Sequence, residues 1–138
     1  MKYLLDTKAL LAFFNNEDGA ENVESILKEI DENRADGFIS AITLTELYYL
    51  YTRRIGEQVA KERIEQLRLS KLKIIPIDEV IALKAGEYKL QAIPIADALI
   101  AASAEFIAAP VVTDDPHFGQ VNVSVLKFRE LDENAESS

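Results

Sequence analysis

The sequence contains no cysteine, so neither a disulfide framework nor a thiolate zinc site is available to it. It has a single histidine, His117, which excludes the paired imidazoles common in catalytic zinc sites. Long apolar runs are also missing. The stretch Tyr3-Leu4-Leu5 is stopped by Asp6, far short of the apolar segment of a secretory signal. The most apolar long window, residues 93–112, is interrupted by Asp97, Glu105 and two prolines, which argues against a membrane span. No internal repeat, low-complexity linker or domain boundary is visible. These absences predict a soluble protein with a cytoplasmic address and no membrane contact.

What is present suits one compact domain. A chain of 138 residues with 49% hydrophobic content is long enough and apolar enough to bury a core. We expect a domain over residues 1–131 and an acidic, serine-ended flexible tail over 132–138. The formal net charge of −9 is unusual for a protein that meets nucleic acid, but the charge is unevenly spread. Residues 51–90 carry 9 basic side chains against 6 acidic ones, whereas both flanking segments are strongly acidic. A locally basic middle can meet phosphates; it can equally be a solvated helix surface laced with salt bridges.

Hydrophobic periodicity predicts short strands alternating with helices. Strands are expected at residues 2–6, 38–40, 73–77 and 110–113, with a possible fifth over 121–126. Helices are expected from residue 7 or 8 to 14, from 20 to near Gly37, from a Thr43 cap to about Arg54, and over 57–70. Two more should follow, over 79–88 behind an Asp78 cap and from Pro94 through Phe106. This alternation calls for an α/β fold with a parallel sheet covered on both faces. In such sheets ligands sit beyond the carboxyl ends of the strands.

Acids stand at those ends. Asp6 follows the first strand, and Asp114 and Asp115 follow the fourth. Asp97 falls in the first turn of the helix after Pro94, where the helix dipole favours an ionised carboxylate. Glu46 lies inside an otherwise apolar helix. Each has an ordinary reading: Asp6 as a helix cap, Asp97 as a dipole partner, Glu46 pointing to solvent, Asp114 or Asp115 in a turn with Pro116. Gathered at one cleft, however, carboxylates repel one another and call for a cation. Oxygen donors without cysteine or paired histidines suit Mg²⁺ or Mn²⁺. Such ions activate water and neutralise phosphate oxygens, which points to phosphodiester chemistry.

Four segments carry a family resemblance: Tyr3-Leu4-Leu5-Asp6-Thr7, Thr43-Leu44-Thr45-Glu46-Leu47, Ile95-Ala96-Asp97-Ala98-Leu99-Ile100-Ala101-Ala102 and Thr113-Asp114-Asp115-Pro116-His117-Phe118. In this order they resemble the signatures of PIN domains, and the small size resembles VapC-type toxins. The resemblance implies a PIN-like three-layer sandwich, a central parallel sheet of four to five short strands flanked by helices. It implies a Mg²⁺- or Mn²⁺-dependent endoribonuclease whose acidic cluster is Asp6, Glu46, Asp97 and Asp115, with Asp6, Asp97 and Asp115 at the metal. Asp115 rather than Asp114 fits the spacing Thr-x-Asp-x-x-Phe; Asp114 becomes a neighbour adding charge or holding outer water. Thr113 becomes a hydroxyl that holds a carboxylate in place. His117 is expected to be a loop residue.

Many relatives carry a small hydroxyl or amide side chain two residues after the first acid, where this chain has Lys8. Its ammonium can pair with Asp97 or Asp115 and weaken metal affinity, bind substrate phosphate, or extend to solvent. The implied partners are an RNA substrate, a VapB-like antitoxin that covers the acidic cleft, often with an arginine, and a second copy of the chain. Tyr48, Tyr49 and Tyr51 are candidates for a dimer surface or for core packing. Alternatives are a catalytically silent PIN domain that binds RNA or protein, and an aspartyl phosphotransferase or receiver. The latter is poorly served by Lys8, Ser40 and the 121–126 region.

Overall fold

The computed structural model describes residues 1–131; the tail expected over 132–138 lies outside the described residues. The chain runs β1 (Lys2–Leu5), α1 (Thr7–Phe14), α2 (Ala20–Asp31), β2 (Asp36–Ser40), α3 (Ala41–Arg54) and α4 (Glu57–Leu69). It continues through β3 (Lys73–Ile75), α5 (Glu79–Lys89), α6 (Ile95–Ile107), β4 (Val111–Val112) and β5 (Val125–Leu126). Short 3-10 turns occupy Pro116–Gln120 and Phe128–Glu130.

The five strands form one sheet in the order β3-β2-β1-β4-β5, and every pairing is parallel. β1 is therefore the centre, and its residues Tyr3, Leu4 and Leu5 are all buried, as the middle strand of a doubly covered sheet requires. Alternation sorts its side chains. Tyr3 and Leu5, with Val112 of β4 and Ile39 of β2, pack against Leu10, Val23, Ile26, Leu47 and Leu67 from α1–α4. Leu4 and Val111 face the opposite layer, Ile81, Ala85, Ile100 and Ala101 of α5 and α6. The three-layer α/β sandwich expected from the sequence is the observed fold.

The connectivity runs one way from β1 to β2 and β3, and the other way to β4 and β5. The strand order therefore reverses between β1 and β4. That crevice is where an open parallel sheet offers its loops to a ligand. Register fixes what lines it: Leu5 sits opposite Val112, and the Asp6 N–H donates to the Val112 carbonyl at 3.1 Å. The next residues, Asp6 and Thr113, are thereby brought side by side.

Some boundaries differ from expectation for local reasons. Gly37 is a strand residue paired with Tyr3 of β1 rather than the end of α2, and it is glycine because a Cβ there would collide with Ile30 and Leu72. α2 instead stops at Asp31, and Asn33 makes the turn in the left-handed region at φ 61°. α3 starts directly from β2: Ser40, not Thr43, is its cap, its hydroxyl accepting from the Ile42 N–H at 3.2 Å. β3 ends at Ile75, before Pro76, and β5 is confined to two residues because the chain still bends over residues 121–123, where the Val123 N–H donates to the Val121 carbonyl at 3.0 Å. Tyr51 is buried and donates to Asn15 Oδ1 at 2.7 Å, whereas Tyr48 and Tyr49 are exposed.

Candidate functional site

Asp6 leaves β1 with its side chain almost sealed from solvent, at 2% exposure. Its Oδ1 accepts the Thr7 N–H at 2.7 Å, which caps α1, and its Oδ2 accepts the Thr113 hydroxyl at 2.6 Å. Both oxygens are thus engaged by the protein. Thr113 also accepts the Asp115 N–H at 3.0 Å, so one hydroxyl ties the end of β1 to the loop after β4.

Asp97 is the third residue of α6 and is buried. Its Oδ2 is enclosed and has no hydrogen-bond partner among the described residues. Asp115 is also buried and caps the 3-10 turn that starts at Pro116, its Oδ1 accepting the His117 N–H at 2.9 Å. That turn folds the His117 ring back, placing Nδ1 2.7 Å from Asp115 Oδ1 and 3.4 Å from Asp97 Oδ2. The exposed Lys8 ammonium takes the other oxygen of Asp115 at 3.2 Å.

Glu46 is half-buried and enters through α1. The Thr7 hydroxyl lies 2.6 Å from Glu46 Oε1 and 3.1 Å from Thr43 Oγ1. A hydroxyl has one proton, so with Glu46 ionised Thr7 donates to the carboxylate and accepts from Thr43. Thr43 and Glu46, three residues apart, share one face of α3. Asp114 pairs instead with Arg129, at 3.2 Å from its Nε, and stands apart from the trio of Asp97, Asp115 and His117.

Burial dominates the electrostatics. It raises Asp6 to about 7; the Thr113 hydrogen bond opposes this, while the Asp97 charge adds to it. Burial also raises Asp97 to about 6, reinforced by the charge of Asp115 and offset in part by His117. The N-terminal dipole of α6 thus loses to desolvation. Burial pushes Asp115 up too, but the His117 N–H, the Lys8 ammonium and the His117 ring outweigh it and hold Asp115 below the usual range. Two neighbouring carboxylates that resist ionisation, one with a bare enclosed oxygen, form a site that a cation would stabilise. The donors fit a divalent ion: Asp97, Asp115 and His117 each offer one atom, all within 4.8 Å of one another.

The structure therefore gathers Asp6, Asp97 and Asp115 at the switch point, links Glu46 to them through Thr7, and sets Lys8 on Asp115. Sequence reasoning gave Thr7 no role and set His117 aside as a loop residue. Thr7 had a signal in its place directly after Asp6. For His117 the signal was the intervening Pro116, which starts a turn that brings residues 115 and 117 together. Thr113→Val should raise Asp6 further and lower stability by about 1–3 kcal/mol, because two buried partners lose the same hydroxyl; urea denaturation measures this, and unchanged stability would refute the linchpin role.

The family model for the PIN domain matches residues 3–123. The chain belongs to the PIN domain family. No curated protein matches it. Among solved structures, FitAcB from Neisseria gonorrhoeae is 28% identical, with a TM-score of 0.74 over 91% of this chain and 97% of that one. VapBC2 from Rickettsia felis, bound to a DNA fragment from their promoter, is 24% identical, with a TM-score of 0.74 over 92% and 98%. VapC20 from Mycobacterium tuberculosis, a sarcin–ricin loop cleaving toxin, shares the fold at 14% identity, with a TM-score of 0.74 over 90% and 98%. The four acids of this PIN domain stand at the crevice of its sheet.

Proposed function

We propose that this PIN domain is a Mg²⁺- or Mn²⁺-dependent endoribonuclease, the toxin of a VapBC-like pair, acting in the cytoplasm through Asp6, Glu46, Asp97 and Asp115. The observation that carries the reading is the buried, unpartnered Asp97 Oδ2 among carboxylates at the switch point of the sheet. Family membership supports the nuclease chemistry, and the VapBC complexes of like fold support the toxin–antitoxin setting. Residues 1–131 are the nuclease domain in this reading.

A divalent cation held by Asp97 and Asp115 would neutralise phosphate oxygens and lower the pKa of water. The chain's own residues do the rest. Asp6, which burial raises to about 7, would be driven to its ionised form by a neighbouring cation and would then add to the cation's attraction. Thr113 keeps Asp6 and Asp115 in register, and Glu46, steadied by Thr7, orients water at the cleft. Lys8 holds Asp115 until a cation or a phosphate competes for it, and Asp114 is reserved for Arg129.

The partners follow from the surface. An arginine from a VapB-like antitoxin complements the acidic cleft with bidentate hydrogen bonds. A groove of about 720 Å³ lies elsewhere, between α3 and α4, where Tyr48, Tyr49, Arg53 and Arg68 line it. Its apolar walls suit a protein segment or a second copy rather than phosphodiester chemistry, which needs the carboxylates. Among the described residues no helix is long and apolar enough to cross a membrane.

The test is cleavage of structured RNAs by the purified protein with Mg²⁺, with Mn²⁺ or with EDTA. Metal-dependent cutting is the expected result. A folded, partner-free protein that cuts nothing with either ion would favour the second reading, a silent RNA- or protein-binding module. The Lys8–Asp115 pair is the observation in favour of that reading.

A further inference from the structure

Three donor atoms of the site, one each from Asp97, Asp115 and His117, converge within 4.8 Å of one another. Each oxygen of Asp6 already accepts one hydrogen bond, from the Thr7 N–H and from the Thr113 hydroxyl. Asp115 gives Oδ2 to Lys8 and turns Oδ1 toward His117. Asp97 Oδ2 has no hydrogen-bond partner among the described residues. The ring Nδ1 of His117 stands between the other two, 2.7 Å from Asp115 Oδ1, which also accepts the His117 N–H, and 3.4 Å from Asp97 Oδ2.

We propose that His117 is a direct ligand of the cation, so that the centre is a mixed nitrogen–oxygen site selecting Mn²⁺ and later transition ions over Mg²⁺. This rests on the metal-dependent reading above and goes further by naming a donor that is not a carboxylate.

The spacing supports ligation. Octahedral bonds of about 2.1 Å place adjacent donor atoms about 3 Å apart. The observed separations of Nδ1 from Asp115 Oδ1 and Asp97 Oδ2, 2.7 and 3.4 Å, bracket that value. The Asp115-Pro116-His117 turn is a short chelate: Pro116 fixes the first turn residue, and the His117 N–H donates to Asp115. Ring and carboxylate are therefore aimed together before any ion arrives. Donor chemistry supplies the selectivity. Mg²⁺ takes oxygen and dehydrates reluctantly, whereas an imidazole nitrogen gains strength along Mn²⁺, Co²⁺ and Ni²⁺.

The experiment is titration of the protein with Mg²⁺, Mn²⁺ and Co²⁺ separately, by calorimetry, beside His117→Ala and Asp97→Asn. Pulsed electron paramagnetic resonance of the Mn²⁺-loaded wild type accompanies it. Wild type should bind Mn²⁺ about 10-fold or more tighter than Mg²⁺, and Co²⁺ tighter still. His117→Ala should weaken Mn²⁺ about 10-fold or more and Mg²⁺ by much less, collapsing the preference. A ¹⁴N coupling to Mn²⁺ should be present in wild type and absent in the variant. The wild-type spectrum answers the question even if the variant is poorly folded. No nitrogen coupling, or an equal loss for all ions, would overturn His117 as a ligand while leaving the carboxylate site standing. Wild type that binds no divalent ion would overturn both proposals.

Discussion

Asp97→Asn is expected to leave the fold intact and to lower divalent-ion affinity and metal-dependent RNA cleavage by about 100-fold or more. The fold is insulated because α6 is held by its apolar face, Ala98, Ile100, Ala101 and Ala104, all buried in the α5–α6 layer. The site is not insulated. Asp97 supplies an enclosed carboxylate oxygen with no hydrogen-bond partner among the described residues, 3.4 Å from the His117 ring, and an amide there can neither neutralise a cation nor bind it as tightly. The same substitution should make the metal-free protein more stable at pH 8, because the Asp97 charge is one of the forces opposing ionisation of Asp6. Calorimetry with Mn²⁺, an RNA cleavage assay and urea denaturation at pH 8 measure the three effects. A variant that binds Mn²⁺ as tightly as wild type would remove Asp97 from the metal site.

Much of this arrangement was legible in the sequence because it depends on strand ends. A buried strand followed by an acid, twice over, fixes two carboxylates at the same edge once the sheet is parallel, and register does the rest. Asp97 was legible for a related reason: Pro94 opens α6, and an acid in the first turn must lie at the helix end that faces that edge. Contacts made through short turns and intermediate hydroxyls were harder to read. Glu46 reaches the cluster only through Thr7, and His117 only because Pro116 starts a 3-10 turn rather than a loose loop. Asp114 could not be separated from Asp115 by proximity to the strand; its assignment to Arg129 depends on a turn fifteen residues away. Gly37 looked like a helix stop and proved to be a place where two packed side chains leave no room for a Cβ.

Raising the pH from 5 to 8 is expected to destabilise the metal-free protein, and Mn²⁺ or Mg²⁺ to reverse the loss at pH 8. Asp6 titrates near 7 and Asp97 near 6 in the folded state, both above their ordinary value of 3.8. The folded protein therefore binds more protons than the unfolded chain between about pH 4 and 7. The stability these groups contribute is fully present below pH 4 and is lost as the pH rises through 6 and 7. Asp115, held low, acts in the opposite sense, but its contribution is lost only in acid, outside this window. For Asp6 the shift corresponds to a few kcal/mol, about 1.4 for each pH unit. Such a loss lowers the melting temperature by roughly 10 °C in a domain of this size. A divalent ion competes with protons for these carboxylates, so its affinity and its stabilising effect should both grow with pH. Thermal denaturation at pH 5, 6.5 and 8, with EDTA or with each ion, gives the profile, and Asp6→Asn should flatten its metal-free limb. A metal-free stability that is level or rises from pH 5 to 8 would mean that Asp6 and Asp97 ionise in the fold without penalty, and the need for a cation at this crevice would go with it.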